Sequence, residues 1–303
     1  MRPPRLACAK RPEPMLHDAL TAPLAEPDAM RRALAAMFAL SLSAAPLGLI
    51  LMLRRMSLIG DALSHAILPG VAIGFLIAGA SVFAMAAGGL IAGFLITIGA
   101  GLIARATTLK EDASLAAFFL ISLALGVAIV SVKGSDEDLV HLLFGSVLSI
   151  GNAALLFIAG VASVSLVVLA LIWRPLVLDC VDPGFLRSVS RSGGAAHIAF
   201  LTLMVLNLVG GFLVLGTLLA VGLMMLPAFI ARFWARDLTV MMAVAVGSAI
   251  ISGFAGLFVA ARAGLPAGPA IILVAGGLYL LSVVAGPVGG LIWLLLPRRH
   301  LEA

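Results

Sequence analysis

Charge is what this sequence has least of. Only 11% of its 303 residues are Asp, Glu, Lys or Arg, against roughly 25% in an ordinary soluble domain, and 63% are hydrophobic. A soluble enzyme is thereby excluded. Cysteine is nearly missing: Cys8 and Cys180 lie in unrelated segments, too few for a disulfide framework or a thiolate metal site. No Gly-Lys pair occurs, so the phosphate loop G-x-x-x-x-G-K-[ST] is absent and any ATP drive must come from another subunit. Neither H-E-x-x-H nor G-x-S-x-G is found, which leaves no catalytic residue to nominate and argues against an intramembrane hydrolase.

What is present is a succession of apolar runs. Segments long enough to cross a bilayer fall at 33–53, 59–80, 82–104, 113–132, 152–172, 194–214, 216–235, 237–261 and 267–296. They predict an all-α fold, a polytopic transmembrane helical bundle of about nine spans. At about 20 residues per crossing, the spans leave chain for short loops only. The 32 glycines suit helices that approach closely in lipid. Leu139 to Ile150 is apolar but too short to span, and reads as a re-entrant or interfacial segment. Leu178 to Gly194, with Asp179, Asp182, Pro183, Arg187 and Arg191, reads as a short amphipathic helix between spans. Residues 1–29 form a polar N-terminal tail. It lacks the apolar stretch of a signal peptide, so no cleavage is expected. Leu16, Leu20 and Leu24 allow an interfacial helix from Met15 onward, and a disordered tail fits equally well. Residues 30–303 are expected to form a single transmembrane domain.

The net charge of +5 calls for no nucleic acid. Arg54, Arg55, Arg105, Lys110, Arg174, Arg187, Arg191, Arg232, Arg236, Arg298 and Arg299 fall in alternate loops, whereas the opposite set holds Lys133 and Arg262. The first set is cytoplasmic by the positive-inside rule. The N-terminal tail then lies outside, despite the six basic residues Arg2, Arg5, Lys10, Arg11, Arg31 and Arg32.

Ionisable side chains inside a span are expensive and mark function by default. Asp61 and His65 sit four residues apart, hence on one helix face, with Ser64 between them. A carboxylate and an imidazole suit one zinc, manganese or iron ion, whereas calcium and magnesium take oxygens alone. An Asp–His hydrogen bond that ties helices together is the alternative on spacing alone. Pro69 cannot donate to the carbonyl of His65, and a loosened helix beside polar side chains is a common way to expose oxygens to an ion, so Asp61, His65 and Pro69 make one coherent site. A plain kink is the alternative here, since Pro227 and Pro46 free the carbonyls of Leu223 and Leu42 in the same way. His141, beside Asp136, Glu137 and Asp138, reads as part of a solvated loop. His197 and His300 read as interfacial, and His17 belongs to the tail.

RRMSLIGDALSHAILPG from Arg54 resembles the signature of the metal-cation (zinc, manganese or iron) permease family of bacterial ABC transporters. The likeness continues in KEDASLAAFFLISLALGV from Lys110, DLVHLLFGSVL from Asp138, LGTLLAVGLMMLPAFIAR from Leu215 and LPAGPAIILVAGGLYLLS from Leu265. It implies a multi-pass permease domain of the bacterial inner (plasma) membrane, working as a pair with a second copy of itself. The implied partners are two cytoplasmic ATPase subunits and an extracytoplasmic solute-binding protein. No cofactor is implied beyond the transported ion. Asp61 and His65 match the family's second-helix motif and would line the path. CVDPGFLRSVS from Cys180 is similar to the segment that docks on the ATPase, which makes Asp182, Phe185 and Arg187 the candidate contacts, although Leu186 and Ser190 replace the usual small residues. Ala267 likewise replaces a usual Ser or Thr. Two facing copies would bring together two aspartates and two histidines, which suits four-coordinate zinc. The carbonyl of His65 would raise the count to six and admit manganese. A proton-coupled secondary metal transporter is the rival reading, since both side chains titrate.

Reporter fusions after Arg55, Gly134 and Arg299 are expected to report cytoplasm, exterior and cytoplasm. A cytoplasmic signal at Gly134 overturns this topology.

Overall fold

The computed structural model describes residues 27–295 apart from 80, 109–110, 134–149, 183 and 186–191. Described residues are overwhelmingly helical: α1 (Pro27–Leu53), α2 (Ser57–Ala66), α3 (Leu68–Ala78), α4 (Val82–Ala106), α5 (Glu111–Lys133), α6 (Asn152–Val181), α7 (Ser192–Leu215), α8 (Thr217–Trp234), α9 (Leu238–Ala263), α10 (Ala267–Ala285) and the short α11 (Leu291–Leu295). Eight helical stretches among them are long and apolar enough to cross a bilayer, with α2 and α3 counted as one. In α5 the corresponding apolar stretch is shorter, Ala113–Ile129. Lipid offers the backbone no partners, so a chain this apolar satisfies its N–H and C=O groups inside helices.

The core is built on α1, α7 and α8. α1 and α7 are the most enclosed spans, each with 72% of its apolar window buried, against 28% for α4 and α6. α8 packs against α1, α9 and α10, while α3, α4 and α5 form a second group joined to the first through α2 and α7. On α4, Ile91, Leu95, Ile98 and Leu102 are all exposed. Their spacing of four, three and four residues makes one apolar stripe, as expected of a face turned to lipid.

Hydrocarbon removes the hydrophobic force between helices, so association depends on close van der Waals fit at small residues. A Cβ on Gly48 of α1 would lie 1.8 Å from the Met224 carbonyl oxygen of α8, and one on Gly70 of α3 would lie 2.1 Å from the Gly88 carbonyl of α4. Gly216 has φ 87, a conformation open to glycine without steric cost. It reverses the chain so sharply that a Cβ on Gly211 would meet that of Ala220 at 2.7 Å.

Several sequence expectations are corrected. α1 begins at Pro27, inside the stretch assigned to the tail and six residues before the expected span, with proline in the first turn, where its missing N–H costs nothing. The span expected at 59–80 is broken at Ile67 into two helices. α6 continues to Val181 rather than ending near 172, because Leu176 is buried and Asp179 is held by Arg54, so Leu178 belongs to the span and not to a loop helix. The last run, 267–296, is not one span: α10 stops at Ala285, and the Val288 N–H donates to the Phe233 carbonyl at 2.8 Å, folding the chain back before α11. Residues 1–26, the apolar segment from Leu139 to Ser149, and Asp136, Glu137, Asp138 and His141 lie outside the described residues.

Gly48→Ala is expected to destabilise the bundle by about 1–3 kcal/mol, since the added methyl meets backbone rather than a flexible side chain. Gly247→Ala, into open space within α9, is expected to leave stability unchanged or raise it by up to about 1 kcal/mol. Thermal unfolding of the two variants in detergent distinguishes them, and equal midpoints refute the close-packing account.

Candidate functional site: a carboxylate and an imidazole on a broken helix

The site begins at the turn that follows α1. Arg55 has φ 61, the one positive value at a non-glycine position among the described residues, and it lets the chain reverse from α1 into α2. α2 is ten residues long and therefore spans about 15 Å. Asp61 and His65 lie one turn apart on it, and the Ser64 hydroxyl donates to the Asp61 carbonyl at 2.7 Å.

His65 Nε2 and Asp61 Oδ1 are 3.9 Å apart, too far for a hydrogen bond. The pair is therefore not spent on itself. Two donors sharing one tetrahedral ion at about 2.0–2.1 Å stand about 3.3 Å apart, so a small side-chain adjustment brings both onto one cation. Asp61 is 66% exposed and His65 30% exposed. His65 Nδ1 is buried without a hydrogen-bond partner. An imidazole with one nitrogen unpaired and the other merely near a carboxylate is poised for a ligand more than locked as a strut.

Both side chains border a cavity of about 440 Å³ whose other walls come from α8 (Thr217, Val221, Gly222, Met225) and α10 (Ile272). Phe119 of α5 sets its ring 6.0 Å from the His65 ring. The break after α2 has a chemical cause. Pro69 stands in the first turn of α3 and offers the His65 carbonyl no N–H. Ser122 of α5 compensates by donating to the neighbouring Ala66 carbonyl at 2.7 Å. Pro69 thus interrupts the span at one residue, Ile67, whose backbone stays helical at φ −78 and ψ −13. Pro69 is buried against α5 near Gly126 and does not wall the cavity. Pro227, buried within α8, does not wall it either.

Spacing alone signalled Asp61 and His65. Thr217, Met225, Phe119 and Ser122 are brought in from α8 and α5 by tertiary packing, with no signal beside the first pair. Among the described residues, no group of three or more His, Cys, Asp or Glu side chains converges, so one copy of the chain contributes two such ligands here. At the other end of α6, the Asp182 carboxylate accepts the Phe185 N–H at 2.9 Å, and Phe185 is exposed. Arg187 lies outside the described residues.

The broken second span, the Asp–His pair on its first half and the bundle around it define a polytopic transport protein. Residues 26–286 match the ABC 3 transport family, and the chain belongs to that family. It is a multi-pass bacterial membrane permease whose ATP is hydrolysed on a separate subunit, and the resemblance to the metal-cation permeases read from the sequence holds. It is 33% identical over 263 residues to the manganese import system permease protein ScaB of Streptococcus parasanguinis, covering 85% of this chain and 91% of that one. To the manganese transport system membrane protein MntC of Halalkalibacterium halodurans it is 30% identical over 264 residues, covering 87% and 89%. Among solved structures, PsaBC from Streptococcus pneumoniae in complex with Fab superposes with TM-score 0.79 at 26% identity, covering 91% of this chain and 98% of that one.

Asp61→Ala and His65→Ala are each expected to lower metal uptake by at least about 100-fold, since a lost ligand exceeds the 10–100-fold effect of losing an outer-shell contact. Neither removal opens a large buried cavity, so expression and assembly are expected to persist. Uptake into vesicles carrying the complete transporter measures this, and full uptake by His65→Ala refutes the site.

Proposed function

We propose that this chain is the membrane half of an ATP-driven importer of divalent transition-metal cations, and that its cargo passes between Asp61 and His65 of two facing copies. The observation that carries the reading is the unlocked pair itself: a carboxylate and an imidazole 3.9 Å apart, bordering a cavity of about 440 Å³, with Asp61 largely open. Two donors do not satisfy a transition metal. A second copy related by symmetry doubles them to four, which is why the dimer belongs to the reading. Two cytoplasmic ATPase subunits and an extracytoplasmic solute-binding protein complete the assembly. The segment after α6, carrying Asp182, Phe185 and Arg187, meets the ATPase: Phe185 and Val181 are both exposed and offer it apolar side chains. Family membership removes the support for a proton-coupled secondary transporter.

Ligand counting from sequence favours zinc. The names of the relatives compared speak of manganese, and the broken helix supports that cargo instead. The His65 carbonyl, unserved by Pro69, adds one oxygen per copy and raises four ligands to six, the octahedral shell manganese prefers. Zinc binds most such sites more tightly than manganese, so selectivity is read from translocation rather than from affinity. In vesicles carrying the complete transporter, with both metals at equal concentration, manganese is expected to accumulate at least about five-fold faster than zinc, because tight binding slows release. Faster accumulation of zinc restores the zinc assignment.

A further inference from the structure

The turn between α1 and α2 holds a buried cation whose role the metal site does not explain. The Arg54 side chain is 7% exposed. One terminal nitrogen donates to Asp179 Oδ2 at 2.5 Å and the other meets His197 Nδ1 at 2.9 Å. Its guanidinium also stacks 4.9 Å from the centre of the Phe200 ring. Because a guanidinium only donates, Nδ1 is the acceptor and the His197 hydrogen sits on Nε2. Loop arginines that set membrane topology stay in water or snorkel to the interface, so this burial calls for another account.

The partners sit at chosen places. Asp179 is in the last turn of α6, three residues before Asp182. His197 is in the second turn of α7. Between them runs the segment assigned above to the ATPase contact. Arg54 itself lies seven residues before Asp61. One guanidinium therefore ties both stems of the cytoplasmic segment to the turn that starts the metal-site helix. Beside it opens a cavity of about 1020 Å³, lined by Arg54, Arg55, Thr97, Asp179, Cys180 and His197 among others, while the Arg54 Nε is buried without a hydrogen-bond partner. That space leaves room for the cluster to shift as a unit.

We propose that Arg54 is a positioning residue that couples the ATPase-facing segment to α2, so that a movement of the α6 and α7 stems displaces the Asp61 and His65 pair. The proposal rests on the docking reading given above. An arginine fork holds two acceptors in fixed geometry, which a lysine point charge does not. A lever needs that rigidity.

The test uses the complete transporter in vesicles, with metal uptake and ATP hydrolysis measured together for Asp179→Asn and Arg54→Lys. Both are expected to lower uptake at least ten-fold and to abolish the acceleration of hydrolysis by metal-loaded solute-binding protein. Basal hydrolysis and assembly with the ATPase stay at parent values, while the thermal midpoint of Asp179→Asn falls because the buried Arg54 guanidinium loses its carboxylate. Parent-level uptake by Asp179→Asn overturns the proposal. So does a loss of uptake in both variants that follows the amount of assembled complex, which assigns the cluster a structural role. Should Asp179→Asn alone fail to assemble, Arg54→Lys decides by the ratio of uptake to hydrolysis. Phe185→Asp separates this test from the docking reading. If Phe185→Asp uncouples and Asp179→Asn does not, docking stands and the Arg54 lever falls. If Phe185→Asp is normal and Asp179→Asn uncouples, the docking reading falls and the lever stands through another contact.

Discussion

Everything in this bundle depends on contact between helix backbones at positions without side chains. Lipid chains are as apolar as leucine, so burying leucine between helices yields little, and fit at short range has to hold the helices together. Gly48 against the Met224 carbonyl and Gly70 against the Gly88 carbonyl are such fits. The first presses α1 onto α8, which walls the cavity. The second presses α3, the continuation of the metal-site helix, onto α4. The position of Asp61 and His65 relative to α8 follows from these approaches more than from any bond the two side chains make.

Polar groups in the same low-dielectric setting are kept in strict account. Where Pro69 interrupts the ladder, Ser122 serves the adjoining carbonyl. Asn207, fully within α7, donates to Ser165 of α6 at 2.6 Å and to the Leu203 carbonyl at 2.9 Å. The Asp61 and His65 side chains, 3.9 Å apart, are by contrast not bonded to each other, and His65 Nδ1 is among the few buried polar atoms without a partner. A site that must take up an ion and release it cannot be satisfied in advance by its own protein. The Arg54 cluster is the opposite case: its carboxylate and imidazole are already claimed by a resident cation, which leaves them no part in holding the cargo.

Much was legible in the chain itself. Scarce charge and long apolar runs dictate a helical membrane bundle, because no other fold of such a sequence can satisfy its backbone in hydrocarbon. A spacing of four residues puts Asp61 and His65 on one face wherever a helix forms, and the missing phosphate loop excludes ATP binding of that type without any coordinates. These properties are local, with periods of a few residues. Only the tertiary structure decided what is not local. Pro69 breaks the helix locally, but the Ala66 carbonyl beside the break finds its donor in Ser122, 56 residues away. α6 runs on to Val181 because Arg54 reaches Asp179 across 125 positions, and the chain after α10, stopped locally at Gly286 and Pro287, is folded back by the Val288 bond to the Phe233 carbonyl. Thr217 and Met225 join the site only through the way α8 packs. His197 read as an interfacial residue and Arg54 as a loop anchor, since a single charge in sequence carries no sign of the partner that will bury it. That partner is set by helix packing, which rests on close approaches between residues far apart in the chain.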